Sequence, residues 1–157
     1  MKTLITPTEV LRHAFPGARC LTEEFISQAD IAAAESRFLV PVVGPKLYER
    51  LVAGDYAELR EEYLTGCVAL FVRMLLQPRL DLTTTSIGTL QPRTEQGSPP
   101  DKATLARLQN QLRTEAHSLL RRASAHLEAN RDQYPEYDPE TNPLNRCTIY
   151  GGYLQIH

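Results

Sequence analysis

Cys67-Val68-Ala69-Leu70-Phe71-Val72-Arg73-Met74-Leu75-Leu76 is the most apolar stretch of the chain, and its reading decides the fold. Its large apolar side chains run around nearly the whole circumference of a helix, and a helix apolar on all sides is surrounded by protein. With Arg73 inside it, the stretch has about half the ~20 residues needed to cross a bilayer. It therefore reads as the central helix of a bundle, the alternative being a helix covered by a partner subunit. Just upstream the pattern is amphipathic, with Leu59 and Tyr63 opposite Arg60, Glu61 and Glu62. One helix is expected over 56–77, ending where Pro78 disfavours the helical conformation of the residue before it.

The helix that packs on this one lies downstream. Asp101 is placed to cap a long helix over 101–130. At 100° per residue Leu105, Leu108, Leu112, Ala116, Leu119, Leu120, Ala123 and Leu127 fall within a stripe about 120° wide. Between the two helices, 83–100 reads TTTSIGTLQPRTEQGSPP. Polar, β-branched, Gly- and Pro-rich residues build no core, so a long irregular loop is expected, with a brief strand or hairpin around 86–90.

Upstream, Thr6-Pro7-Thr8-Glu9 carries a capping box with proline at the first helical position, and Phe15-Pro16-Gly17 ends that short helix. Thr22 opens a second helix over 22–38, with Glu23 and Glu24 complementing its positive end. Ile26, Ala29, Ala33 and Arg37 are spaced to share one face, whose alanines would allow another helix to approach closely. Pro41, Gly44 and Pro45 then break the helix within the buried segment Phe38-Leu39-Val40-Pro41-Val42-Val43-Gly44-Pro45. Pro45 starts a short helix with Leu47, Tyr48 and Leu51 inward, closed by Gly54.

Past residue 130 the prolines at 135, 139 and 143 exclude helix, and the chain finishes CTIYGGYLQIH. The expectation is all-α: a small bundle of about four to five helices, residues 1–131, with an extended C-terminal tail, 132–157. Gly151-Gly152 reads as a turn or bend in that tail. A tail rich in Tyr and Ile that stays out of its own core docks on something else. Tyr134, Tyr137, Tyr150 and Tyr153 are the candidate anchors.

Composition narrows the function classes. The formal net charge of −2 gives no general attraction to nucleic acid or anionic membrane. Arginine is favoured fourteen to three over lysine, which suits planar carboxylate contacts at protein interfaces as well as it suits a coding bias. Three cysteines far apart imply no disulfide framework. The N-terminus lacks the apolar run of a signal peptide, so a soluble protein made in a cytoplasm is expected.

No catalytic, metal or cofactor site emerges. His117 and His126 are nine residues apart on one helix, about 180° around it, and cannot share an ion. There is no GxSxG elbow, and burial should raise the thiol pKa of Cys67. Glu58, Glu61 and Glu62 read as a solvated face. Arg107, Arg113 and Arg121 lie on the outer face of the long helix beside Asn110 and His117, but Glu128 shares it. Sequence-specific nucleic-acid binding is not expected.

The order of three features resembles a known group. Phe38-Leu39-Val40-Pro41-Val42-Val43-Gly44-Pro45-Lys46-Leu47-Tyr48 follows the second helix. The apolar helix leads to a Thr-rich stretch around Gly88. The long helix ends Leu127-Glu128-Ala129-Asn130, followed by Tyr134-Pro135-Glu136-Tyr137. Together these are similar to a family of Bacteroidetes phage and prophage proteins, related in architecture to the head-to-tail connectors of long-tailed phages. The resemblance implies a non-enzymatic subunit that assembles with itself into a ring and with portal or tail proteins. It implies residence in the cytoplasm of a bacterial host, and in the virion when the prophage is active. No small-molecule substrate or membrane partner is implied. The competing classes are a helical DNA-binding packaging factor of the small-terminase kind and a general protein-interaction module. Acidic Glu23, Glu24, Asp30 and Glu35 in the first two helices argue against a basic helix-turn-helix.

Overall fold

The computed structural model describes residues 2–17, 21–81, 83–85, 88–90, 101–145, 147–150 and 153–156. Helices α1 (Pro7–Ala14), α2 (Gln28–Ala34), α3 (Val40–Val43), α4 (Pro45–Ala53), α5 (Ala57–Leu59), α6 (Thr65–Asp81) and α7 (Lys102–Ala129) form an all-α bundle. Two small antiparallel hairpins accompany it, β1 (Thr83–Thr85) with β2 (Gly88–Leu90), and β3 (Cys147–Tyr150) with β4 (Tyr153–Ile156). The central position belongs to α6, which packs against α1, α2 and α7. Cys67, Val68, Ala69, Phe71, Val72 and Leu76 are each at most 1% exposed, so a helix apolar all round is enclosed all round.

Local signals place α1 and α7 where the sequence does. The Thr6 hydroxyl accepts from the Glu9 N–H while the Glu9 carboxylate accepts from the Thr6 N–H, with Pro7 at the first position. Asp101 caps α7 through the Thr104 N–H at 2.8 Å. The buried stripe of α7 is Leu112, Ala116, Leu120, Ala123 and Leu127, whereas Leu105, Leu108 and Leu119 sit half-buried at its margins. Gly54, at φ 104°, supplies the left-handed residue that ends α4.

Two proline readings are corrected. Pro78 does not stop α6, which runs on to Asp81. A proline inside a helix frees the carbonyl four residues earlier. Here that group is Met74 O, and the Gln109 side-chain amide of α7 donates to it at 3.1 Å. Pro41 likewise interrupts nothing. The helix passes from α2 through a π turn, Glu35–Leu39, straight into α3, and breaks only at Gly44, at φ 83°. The wider turn, closed by the Val40 N–H on Glu35 O, lies directly before the proline, whose ring would otherwise strike the preceding turn of a regular α-helix. A second π turn, Arg60–Leu64, joins α5 to α6.

The second helix also differs from its expected form. Residues Glu23–Phe25 make only a 3-10 turn, and α2 starts at a capping box formed by Ser27 and Asp30. Its inner stripe is Ile31, Ala34, Glu35 and Leu39, while Ala29, Ala33 and Arg37 face outward. Ile26 is buried as expected.

The largest correction concerns the segment after α7. Residues 131–145 are not an extended tail; they fold back on the C-terminal half of α7 and belong to the bundle. Tyr134 and Tyr137 are each 6% exposed and lie in the core. The Tyr134 ring meets Tyr56 edge-on at 5.1 Å, and its hydroxyl lies 3.1 Å from His126 Nε2. Asn142, fully buried, donates to Ser124 Oγ and to the Tyr137 hydroxyl, both at 2.8 Å. Tyr137 donates in turn to Glu128 at 2.9 Å. Prolines exclude helix but not burial, and buried tyrosines need only a partner for the hydroxyl. The packed unit thus extends past residue 131, to Asn145.

Candidate interaction site

Two surface features of this bundle stand out, a hairpin and a groove. The first is the C-terminal hairpin. Strands β3 and β4 pair in the register Cys147↔Ile156, Thr148↔Gln155, Ile149↔Leu154 and Tyr150↔Tyr153. Tyr150 and Tyr153 therefore stand opposite each other at the closed end. Gly151 and Gly152, read as a turn, lie outside the described residues. Of the four tyrosines expected as anchors, the fold takes Tyr134 and Tyr137 into its own core and leaves Tyr150 and Tyr153 on the hairpin. Among the described residues each strand pairs with one neighbour only, so each keeps an unpaired edge. The hairpin Thr83–Thr85 with Gly88–Leu90 has the same property, in the register Thr83↔Leu90, Thr84↔Thr89 and Thr85↔Gly88. The loop around it, 91–100, lies outside the described residues.

The second surface lies along the outer side of α7. A groove of about 370 Å³ is lined by Arg37, Phe38, Met74, Leu75, Pro78, Gln109, Arg113 and His117. A neighbouring depression continues it past Arg113 and His117 to Arg121. Phe38 forms part of the floor, stacked on buried Phe71 with centroids 4.3 Å apart and planes 7° from parallel. The His117 ring meets both edge-on, at 6.3 Å and 5.2 Å. The Arg37 guanidinium stands 5.2 Å above the Phe38 ring. The continuation of α2 through its π turn and the outward face of α7 bring these residues together, a convergence that helix periodicity alone does not reveal.

The electrostatics of the groove are positive. Partial burial, then the charges of Arg113 and Arg121, hold the His117 imidazole below its ordinary value, so it is uncharged at neutral pH. Arg50, Arg60, Arg79, Arg122 and Arg131 form ion pairs, whereas Arg37, Arg113 and Arg121 form none among the described residues. Glu128, which the sequence places on the same helix face, is engaged with Arg131, Tyr137 and Asn145 instead. Glu58, Glu61 and Glu62 are exposed, Glu62 lying 3.6 Å from Arg122.

Among the described residues no group of three His, Cys, Asp or Glu could hold a metal ion. His126 is stacked on Tyr63 at 4.1 Å and faces Tyr134. Cys67 is buried against the Ala116 carbonyl, 3.6 Å from its sulfur, and burial pushes its thiol up to about 12. Maleimide treatment is expected to leave Cys67 unmodified in the native protein and to label it on unfolding, read by peptide mass mapping. Rapid native labelling would mean that the α6–α7 seam opens. No helix among the described residues is long and apolar enough to cross a membrane.

The chain belongs to a family of unknown function, DUF6712, whose sequence profile matches residues 22–146. The matched segment ends at residue 146, immediately before the β3–β4 hairpin begins. No curated protein and no solved structure matches the chain.

Proposed function

We propose that this protein is a structural, non-enzymatic subunit of a phage or prophage head-to-tail connector, joining portal to tail during virion assembly. The observation that carries the reading is the C-terminal hairpin on a helical body, whose strands each pair with one neighbour only among the described residues. A two-stranded hairpin is marginal by itself in water, and an open strand edge is a template for a further strand. Strand addition from a neighbouring subunit or partner would satisfy both needs. The resemblance of the 38–48 segment, the apolar helix and the long helix to connector-like phage proteins supports the same reading. So does an arginine-rich surface suited to contacts with protein carboxylates. The protein would reside in the host cytoplasm and, in an active prophage, in the virion.

The test uses two proteins, the full chain and a chain ending at Asn145, each co-expressed with the portal protein of the same genome. A cut at Asn130 would be uninformative, because it removes Tyr134, Tyr137 and Asn142 from the core. The shortened chain is expected to keep its helical circular dichroism and cooperative melting, and to be lost from portal rings in co-purification and electron microscopy. Equal incorporation of both proteins would remove the hairpin from the assembly role. If neither protein joins portal, capsid or tail proteins, the connector reading falls.

A further inference from the structure

We propose that the arginine-rimmed groove on α7 receives the exposed Glu23-Glu24-Phe25 knob of a second copy of this chain. The proposal stands on two complementary surfaces and does not require the connector reading.

The knob is unusual within this fold. Phe25 is the large hydrophobic side chain left exposed among the described residues, at 38%. It stands at the end of the Glu23–Phe25 turn, with Glu23 and Glu24 exposed beside it. The turn is held from both sides. The Thr8 hydroxyl donates to Glu23 at 2.8 Å, and the Ser27–Asp30 capping box fixes the chain immediately after it. An aromatic ring with carboxylates at its flank is thus presented on a fixed backbone, at little ordering cost on binding.

The groove is its chemical complement. The floor is apolar, from Phe38, Met74, Leu75 and Pro78, and the rim carries Arg37 and Arg113 without ion-pair partners among the described residues. At about 370 Å³ it has room for an aromatic side chain. A nucleic-acid backbone would use the arginines and leave the apolar floor unused; an aromatic–carboxylate knob uses both. Within one chain Glu23, Glu24 and Phe25 do not line the groove, and Phe25 rests under the Arg79 guanidinium at 5.9 Å. A second copy can bring the two together. Because knob and groove are different patches, the contact is head-to-tail, the kind that closes into rings or extends into filaments, unless a two-fold dimer reciprocates it.

Sedimentation velocity of the full chain over a range of protein and salt concentrations reads this contact. The wild type is expected to self-associate, less so as salt rises. Phe25→Glu and Arg113→Glu are each expected to weaken association about tenfold or more, as loss of a central anchor does. All the altered residues are exposed, so unchanged melting curves separate lost contact from lost fold. Mixing Glu24→Arg with Arg113→Glu is expected to restore association that neither variant shows alone. A wild type that stays monomeric at the highest attainable concentration, or a Phe25→Glu variant that associates undiminished, overturns the proposal. A monomeric wild type that binds duplex DNA, with binding lost in Arg37→Glu and Arg113→Glu, also overturns it and assigns the groove to phosphates. Portal co-purification is a separate readout, so failure here and failure of the connector reading are distinguishable.

Discussion

Replacing Phe71 by alanine is expected to lower the unfolding free energy by about 3–5 kcal/mol. The side chain is 1% exposed at the centre of α6, so its removal leaves a cavity that the enclosing helices cannot close by relaxing toward solvent. It also ends the stacking on Phe38 and the edge contact with His117, and such pairs add about 0.5–1.5 kcal/mol beyond area burial. Phe71→Leu keeps most of the volume and is expected to cost less than about 1.5 kcal/mol plus the lost ring pairs. Urea unfolding followed by circular dichroism separates the two. A Phe71→Ala loss below about 1 kcal/mol would mean that α6 is not the packed centre. The substitution has a second consequence, because Phe71 supports Phe38 beneath Arg37. Loss of that support should loosen the α7 groove, and a self-association measurement on this variant should fall with stability.

How far the sequence carried to this point depends on the kind of signal. Where a helix is defined by side chains of one sort, as in the apolar run of α6 or the leucine stripe of α7, periodicity located it and its buried face. Where it is alanine-rich, periodicity was ambiguous. Alanines at 29, 32, 33 and 34 allow several stripes of equal spacing, and the fold selects the one that adds the larger Ile31 and Leu39. Those two sit four residues either side of Glu35, so the wrong stripe also hid a buried carboxylate.

Proline misled for a different reason. The rule that a proline ends a helix concerns the carbonyl it orphans and the turn it strikes. The first is settled by Gln109 from another helix and the second by a π turn, and neither is visible along the chain. The proline-rich segment after α7 failed likewise: its lack of helix was legible, but not the return that buries Tyr134, Tyr137 and Asn142. Of the groove, the outward set Arg113, His117 and Arg121 was legible on one helix. The addition of Arg37 and Phe38 was not, because it depends on how α2 continues past residue 38.

Glu35 supplies the other large effect, and its pH dependence makes the test specific. The side chain is fully buried. Its Oε1 accepts from the Leu4 and Ile5 N–H groups at 2.8 Å and 3.3 Å, and Oε2 accepts from the Tyr48 hydroxyl at 2.6 Å. Arg60 holds the same N-terminal segment through the Leu4 carbonyl at 2.9 Å. Alanine here leaves two backbone donors and a phenol unpartnered beside a void, and about 3–5 kcal/mol of stability is expected to be lost. Glutamine behaves differently: its oxygen can accept from Leu4 and Ile5, and its amide can donate to Tyr48. Burial raises the Glu35 carboxyl above its ordinary value of 4.5, outweighing the hydrogen bonds that favour the charged form. Above that ordinary value and up to the folded one, the folded chain holds more protons than the unfolded chain at this group. Stability from Glu35 therefore falls as pH rises through that window. Glu9, Asp30 and Glu128 have the opposite sign. Their hydrogen bonds and arginine partners together outweigh burial and hold them below their ordinary values, so their contribution is lost on acidification. Both proteins share those groups, so subtracting the stability of Glu35→Gln from that of wild type at each pH isolates Glu35. The difference is expected to favour wild type increasingly as pH falls through the window, while Glu35→Ala stays below both throughout. A flat difference would show that Glu35 titrates as in the unfolded chain. A Glu35→Ala protein as stable as Glu35→Gln would show that the three donors find other partners.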